Sequence, residues 1–179
     1  MQEMLAALTT LNAFDGLSGV MTGYFASAAQ VIAVAKQIAV LKEMNPLLHV
    51  LVDPVIGDHG ALYVAIDVAE AIRDQLLPLA TITTPNLFEL TWLAGRLDIN
   101  EAVKKLHTAE TIVTSVPEGD DALATLLVTA DETQRHLMPR HQAIPNGTGD
   151  YLAGCYLAQR LNTSSAQAFA MTMQNVERV

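Results

Sequence analysis

An aspartate that closes a glycine loop and opens a helix is equipped to move a proton beside a bound anion. Asn146-Gly147-Thr148-Gly149-Asp150 forms such a junction, because the run from Tyr151 to Ala158 behind it has helical apolar spacing. The two glycines let the backbone turn tightly and approach a ligand. Free amides at a helix start favour a phosphate or the charge of a transferring phosphoryl group. Asp150 on the first turn can take a proton from a substrate hydroxyl. Read by itself, the tetrapeptide from Gly147 to Asp150 also fits an ordinary helix entry with a favourable first-turn carboxylate.

Further polar residues fall where strands are expected to end. Val20-Met21-Thr22 reads as a strand that delivers Gly23-Tyr24. The apolar run from Leu47 to Val52 reads as a strand covered on both faces, and it delivers Asp53, with Gly57, Asp58 and Tyr63 following. A strand over 79–83 delivers Thr84-Pro85-Asn86 and then Glu89, and one over 111–114 delivers Thr114-Ser115. Asn86 with Glu89 three residues on is also a capping-box pattern, and Asp53-Pro54 also reads as a turn.

The elements that must position these loops alternate. Helices are expected over 2–11, after the cap Ser27 as far as Asn45-Pro46, over 67–77, over 87–94 to a stop at Gly95, and from a cap at Asn100 to His107. Strands follow over 123–128 and 134–138, with helices over 149–161 and 164–176. Such alternation predicts an α/β fold with a mostly parallel sheet and helices on both faces. Ligands then sit at the carboxyl ends of the strands. The 179 residues are read as one domain.

Composition narrows the partners. With 10 basic and 19 acidic residues the net charge is -9, which argues against a nucleic-acid partner. No apolar run reaches membrane-spanning length, so no membrane partner is expected. The single cysteine, Cys155, forms no internal disulfide, fits a reducing cytoplasm, and reads as a small buried hydrophobe. The five histidines lack paired ligand spacing for zinc. No Walker-type Gly-Lys-Ser/Thr loop is present.

Three motifs in order resemble the ribokinase-like superfamily: Asp53-Pro54-Val55-Ile56-Gly57-Asp58 with Leu62-Tyr63-Val64, then Thr84-Pro85-Asn86 with Glu89, then Gly147-Thr148-Gly149-Asp150. Thr22-Gly23-Tyr24 and the phrase from Leu76 to Ala80 look most like the pyridoxal (vitamin B6) kinases. The resemblance implies a three-layer sandwich that phosphorylates the 5'-hydroxyl of pyridoxal, pyridoxine or pyridoxamine with ATP.

By the same resemblance Asp150 is the catalytic base at the substrate hydroxyl, and Gly147, Thr148 and Gly149 form the anion hole. Glu89 and Asn86 organise magnesium and phosphate, and Asp53 is a nucleotide- or metal-side carboxylate. Tyr63, Thr84 and Thr114, with Ser115 beside it, line the ATP phosphates, and Tyr63 joins Glu89 and Asp53 on the metal side. Tyr24 is a substrate-side aromatic, and Asp58 belongs to a loop over the site. Arg140 and His141 border the nucleotide. Mg2+, a monovalent cation such as K+, and a homodimer are implied as well. Family members begin with strand-helix-strand elements that have no counterpart before Val20, so an incomplete N-terminus is expected. Two alternatives stay open: a non-catalytic nucleotide-binding remnant or pairing subunit, and hydroxymethylpyrimidine kinase. The latter usually carries cysteine where this chain has Asp150.

Overall fold

The computed structural model describes residues 2–95, 98–140, 145 and 147–178. Its centre is a six-stranded sheet built from β1 (Gly19–Thr22), β2 (His49–Val52), β5 (Ile82–Thr83), β6 (Glu110–Glu118), β7 (Ala122–Thr129) and β8 (Thr133–Pro139), hydrogen-bonded in that order. The first four strands run parallel and the last two pairings are antiparallel. A separate hairpin of β3 (Gly57–Asp58) and β4 (Ala61–Leu62) follows β2. The helices are α1 (Gln2–Thr10), α2 (Ala28–Met44), α3 (Ile66–Ala71), α4 (Leu87–Ala94), α5 (Ile99–Leu106), α6 (Thr148–Arg160) and α7 (Ser165–Val176).

Side-chain alternation along the strands builds a core on each face of the sheet. In β2, Val50 and Val52 join Val31, Ile38, Ile72 and Leu90, while Leu51 between them joins Ile82, Ile112 and Leu127. In β6, Ile112 and Val113 divide in the same way. A period of two forces this division, so a strand buried on both sides must be apolar throughout. Helices α2 to α5 contribute to the first core, and α6 and α7 to the second, giving the three layers expected.

Several boundaries depart from the sequence expectations, each for a local reason. Leu79 lies in a 3-10 turn (Leu77–Leu79) rather than a strand, since Pro78 favours helical φ and Lys42 Nζ donates to the Leu79 carbonyl at 2.7 Å. A π-helical turn (Ile72–Leu76) joins α3 to that 3-10 turn. The cap of α5 is Asp98, whose carboxylate accepts from the Glu101 amide at 3.1 Å, so Asn100 sits inside the first turn. β6 continues past Val113 to Glu118 and does not end there as a loop. The β3–β4 hairpin was not anticipated, because two-residue strands leave no periodicity to read.

The second core is locked at one edge by a buried polar group. Glu110, 7% exposed at the start of β6, accepts from the Tyr156 hydroxyl at 2.6 Å and from Arg160 Nε at 2.8 Å. Burial and the Glu110 carboxylate push the Tyr156 phenol far above its ordinary value, so it stays a donor. Among the described residues no helix is long and apolar enough to cross a membrane. Tyr156→Phe leaves one Glu110 oxygen without its buried donor. It should lower unfolding stability by about 1–3 kcal/mol, measured by urea denaturation; an unchanged midpoint would show that Arg160 alone suffices.

Candidate active site

Three parallel strands end at one edge of the sheet and a fourth, β6, bulges there, so that β1 brings a glycine and the other three bring polar residues. β1 leads to Gly23, and β2 to Asp53, whose amide donates to the Thr22 carbonyl at 3.0 Å. β5 leads to Thr84, whose hydroxyl donates to Asp53 Oδ1 at 2.8 Å. On β6 the pairing with β7 shifts register between Val113 and Val116, and Ser115 takes the left-handed conformation (φ 57). This bulge presents Thr114 and Ser115 at the same edge while the strand continues, and Thr114 bridges to Asn86.

A cleft of about 1260 Å3 opens along this edge. Asp53, Asp58, Tyr63, Thr84, Asn86, Glu89, Thr114, Ser115, Arg140, Gly147, Thr148, Gly149 and Asp150 all line it. Nearly every residue singled out from the sequence therefore shares one space. Tyr24 does not line that cleft. It is 63% exposed and follows Gly23, at which an added Cβ would stand 3.4 Å from Asp150 Oδ1. Asn146 and His141 lie outside the described residues. His59, Asp120 and Asp121 also line the cleft and were missed. They sit in short turns with no periodicity, and only the polar cluster from Asp58 to Gly60 could have signalled one of them.

The glycine loop enters α6 through Gly147, which has φ 91 and, as the N-cap, has no side chain to occupy the first-turn amides. Thr148 instead turns its hydroxyl back to the Pro145 carbonyl at 2.7 Å. That leaves the helix start suited to an anion supplied from the cleft. Asp150 is exposed on the first turn, with its carboxylate next to Gly23.

Glu89 and Asn86 form the capping box of α4 and reach well beyond it. Glu89 Oε2 accepts from the Asn86 amide at 2.9 Å, and Oε1 accepts from the amides of Ile56 at 2.9 Å and Gly57 at 3.4 Å. Asn86 Nδ2 donates to the Gly57 carbonyl at 2.8 Å. The helix start is thus clasped to the base of the β3–β4 hairpin. Gly57 must be glycine there, because an added Cβ would stand 2.5 Å from both the Ala61 carbonyl oxygen and Phe88. The capping reading and the site reading of this motif therefore describe one device.

The cleft is electrostatically unbalanced. Burial pushes Glu89 up to about 7, against the backbone donors that lower it. Burial pushes Asp53 up to about 6, opposed by the Thr84 hydroxyl and assisted by Asp150. The Tyr63 phenol rises to about 12, through burial and then the charges of Glu89, Asp53, Asp58 and Asp150. Among the described residues none of Asp53, Glu89 or Asp150 belongs to an ion pair. Likewise, no three His, Cys, Asp or Glu side chains among them converge to hold an ion unaided. Asp53 and Glu89, neighbouring carboxylates without a cationic partner, could serve as two of the oxygen ligands of a divalent ion completed by other donors.

Glu89→Gln tests the clasp, because an amide group cannot accept at both of its heteroatoms and must confront one backbone N–H with another donor. Unfolding free energy should fall by about 1–3 kcal/mol. The carboxyl is raised from 4.5 to about 7, so its stability contribution is full below pH 4.5 and lost as pH rises through 7. The variant should lose that share of the pH dependence, leaving the share of Asp53 near 6. Urea denaturation from pH 4 to 8 reads both effects, and a profile identical to wild type would discard the clasp.

Comparison with known proteins places this geometry. The family model described as phosphomethylpyrimidine kinase matches residues 3–175. A pyridoxine/pyridoxal/pyridoxamine kinase of Bordetella avium is 37% identical over 196 aligned positions, which cover 94% of this chain and 65% of the relative. A pyridoxal kinase of Arabidopsis thaliana is 33% identical, covering 87% of this chain and 55% of the relative. The solved structure of Leishmania donovani pyridoxal kinase with ADP and pyridoxamine superposes with a TM-score of 0.88 at 26% identity, covering 98% of this chain and 65% of that one. The chain thus spans about two thirds or less of the length of these relatives. With its ordered strand-end motifs and its glycine loop, it belongs to the phosphomethylpyrimidine kinase family, on the pyridoxal kinase branch of the ribokinase-like superfamily.

Proposed function

We propose that this chain carries the nucleotide-binding and catalytic part of an ATP-dependent kinase acting on the 5'-hydroxyl of pyridoxal, pyridoxine or pyridoxamine. The observation that carries the reading is the meeting of Asp150, at an open helix start, with Asp53, Thr84 and Glu89 around one cleft. Relatives named as kinases of these vitamers support it. Asp150, where hydroxymethylpyrimidine kinase usually carries cysteine, favours a B6 vitamer over hydroxymethylpyrimidine.

In this reading the primary alcohol lies against Asp150, which takes its proton as the oxygen attacks the γ-phosphorus. The first-turn amides of α6 accommodate the charge on the transferred group. Thr84 and the bulge residues Thr114 and Ser115 offer hydroxyls to the phosphate chain. Tyr63, held neutral, can donate to a phosphate oxygen. Asp53 and Glu89 would hold Mg2+, which supplies charge neutralisation between the phosphates when bound. Tyr24, one residue from the glycine that packs against Asp150, offers an aromatic face to the pyridine ring. A homodimer in the cytoplasm, with K+ beside magnesium, completes the proposal.

Asp150→Asn keeps the shape of the helix entry and removes the proton acceptor. Turnover in an ATP-dependent pyridoxal phosphorylation assay should drop roughly 100-fold or more with ATP affinity nearly intact. Near wild-type turnover would sink the assignment of the base. Tyr24→Ala should raise the Michaelis constant for pyridoxal far more than that for ATP, as expected when ring burial is lost. Equal effects on both constants would make Tyr24 a structural residue only.

A further inference from the structure

The cleft poses a charge problem that the residues discussed so far do not solve. Six carboxylates line it, those of Asp53, Asp58, Glu89, Asp120, Asp121 and Asp150. Among the described lining residues only Arg140 and His59 can present a cation or a strong nitrogen donor to a phosphate chain. Arg140 follows β8, and its amide donates to the Asp121 carbonyl at 2.8 Å. His59 comes from the tip of the β3–β4 hairpin.

Three features of His59 set it apart. Its side chain is 95% exposed, and its close charged neighbour among the described residues is Asp58, with Nε2 to carboxylate at 3.5 Å. It adopts φ 49 and the next residue, Gly60, φ 83, so both central residues of this two-residue turn are left-handed. Asparagine and glycine are the commonest residues of such a turn, and histidine also tolerates the left-handed conformation, so the turn accepts an imidazole without requiring one. The base of the hairpin is fixed by Glu89 and Asn86 on Gly57, so the tip is carried on a rigid mount.

We infer that His59 is a phosphate-binding residue for the nucleotide: the hairpin holds its imidazole over the cleft to donate to the polyphosphate chain. The inference rests on the nucleotide reading of the cleft and adds to it a donor that the sequence motifs do not contain. An imidazole N–H donates to a phosphate oxygen from either ring nitrogen, and a second proton adds positive charge. The surrounding carboxylates repel an anionic ligand, so a single nitrogen donor at this tip carries more weight than it would on a neutral surface.

The test compares ATP with adenosine, each in the presence of Mg2+, by titration calorimetry on the whole chain. His59→Gly and His59→Asp both tolerate the left-handed turn, so neither is expected to disturb the hairpin. His59→Gly should weaken ATP binding about tenfold, and His59→Asp more than that, while adenosine affinity stays unchanged in both. ATP affinity equal to wild type in His59→Gly would overturn the inference and leave the kinase reading standing. Parallel losses for ATP and adenosine would also overturn it, since the hairpin and not the donor would then be responsible. Failure of the wild-type chain to bind ATP would instead refute the nucleotide reading, and this inference with it.

Discussion

The buried carboxylate of Glu89 is the interaction on which the site depends. It is 3% exposed and takes three backbone N–H donors from two separate segments. A carboxylate removed from water must be compensated, and here the compensating groups are the start of α4 and the base of the β3–β4 hairpin. Whatever holds Glu89 in place therefore also fixes the hairpin against the helix. Gly57 is drawn so close to Phe88 and Ala61 that no side chain fits, which makes the clasp specific to one backbone path.

From that point the layers follow. β2 is apolar on both faces from Val50 to Val52, the Thr83 hydroxyl of β5 donates to the Val52 carbonyl at 2.8 Å, and the two strands place Asp53 and Thr84 side by side, joined at 2.8 Å. α6 packs on one face through Leu152, Ala153 and Tyr156, which aims its first turn at the same edge. The other face is filled by α2 to α5, and of these α4 brings Glu89 to the cleft. Packing on that face keeps the strand ends in register, so the acidic residues stay close despite their mutual repulsion. Burial is the main cause of the raised Asp53 and Glu89 carboxyls and of the raised Tyr63 phenol, and the neighbouring charges add to it.

Much of this arrangement was legible in the sequence, because strand ends in a parallel sheet share an edge whatever the loops do. Asp53, Thr84, Glu89 and Asp150 could be placed together on that rule alone. What could not be read was set by single contacts. The cap of α5 moved to Asp98 because its carboxylate reaches the Glu101 amide. β6 ran on through Ser115 because one left-handed residue absorbs the bulge and lets pairing resume. The β3–β4 hairpin, and with it His59, has strands too short for any periodicity. Tyr24, a substrate-side aromatic by family likeness, is exposed beside Gly23, next to Asp150, rather than among the residues that line the cleft.

The bulge at Ser115 has a mechanical side. Up to Thr111 β6 is held between β5 and β7, but past the single bridge at Thr114 only β7 remains beside it. The far wall of the cleft, with Pro117, Leu123 and Met138, is therefore a three-stranded ribbon cantilevered from the main sheet. At about 3.3 Å per residue the overhang of β6 from Ser115 to Glu118 is about 10 Å. The far wall of the cleft thus takes its position from the curvature that the bulge gives to three strands at once, since β7 and β8 run through it unbroken.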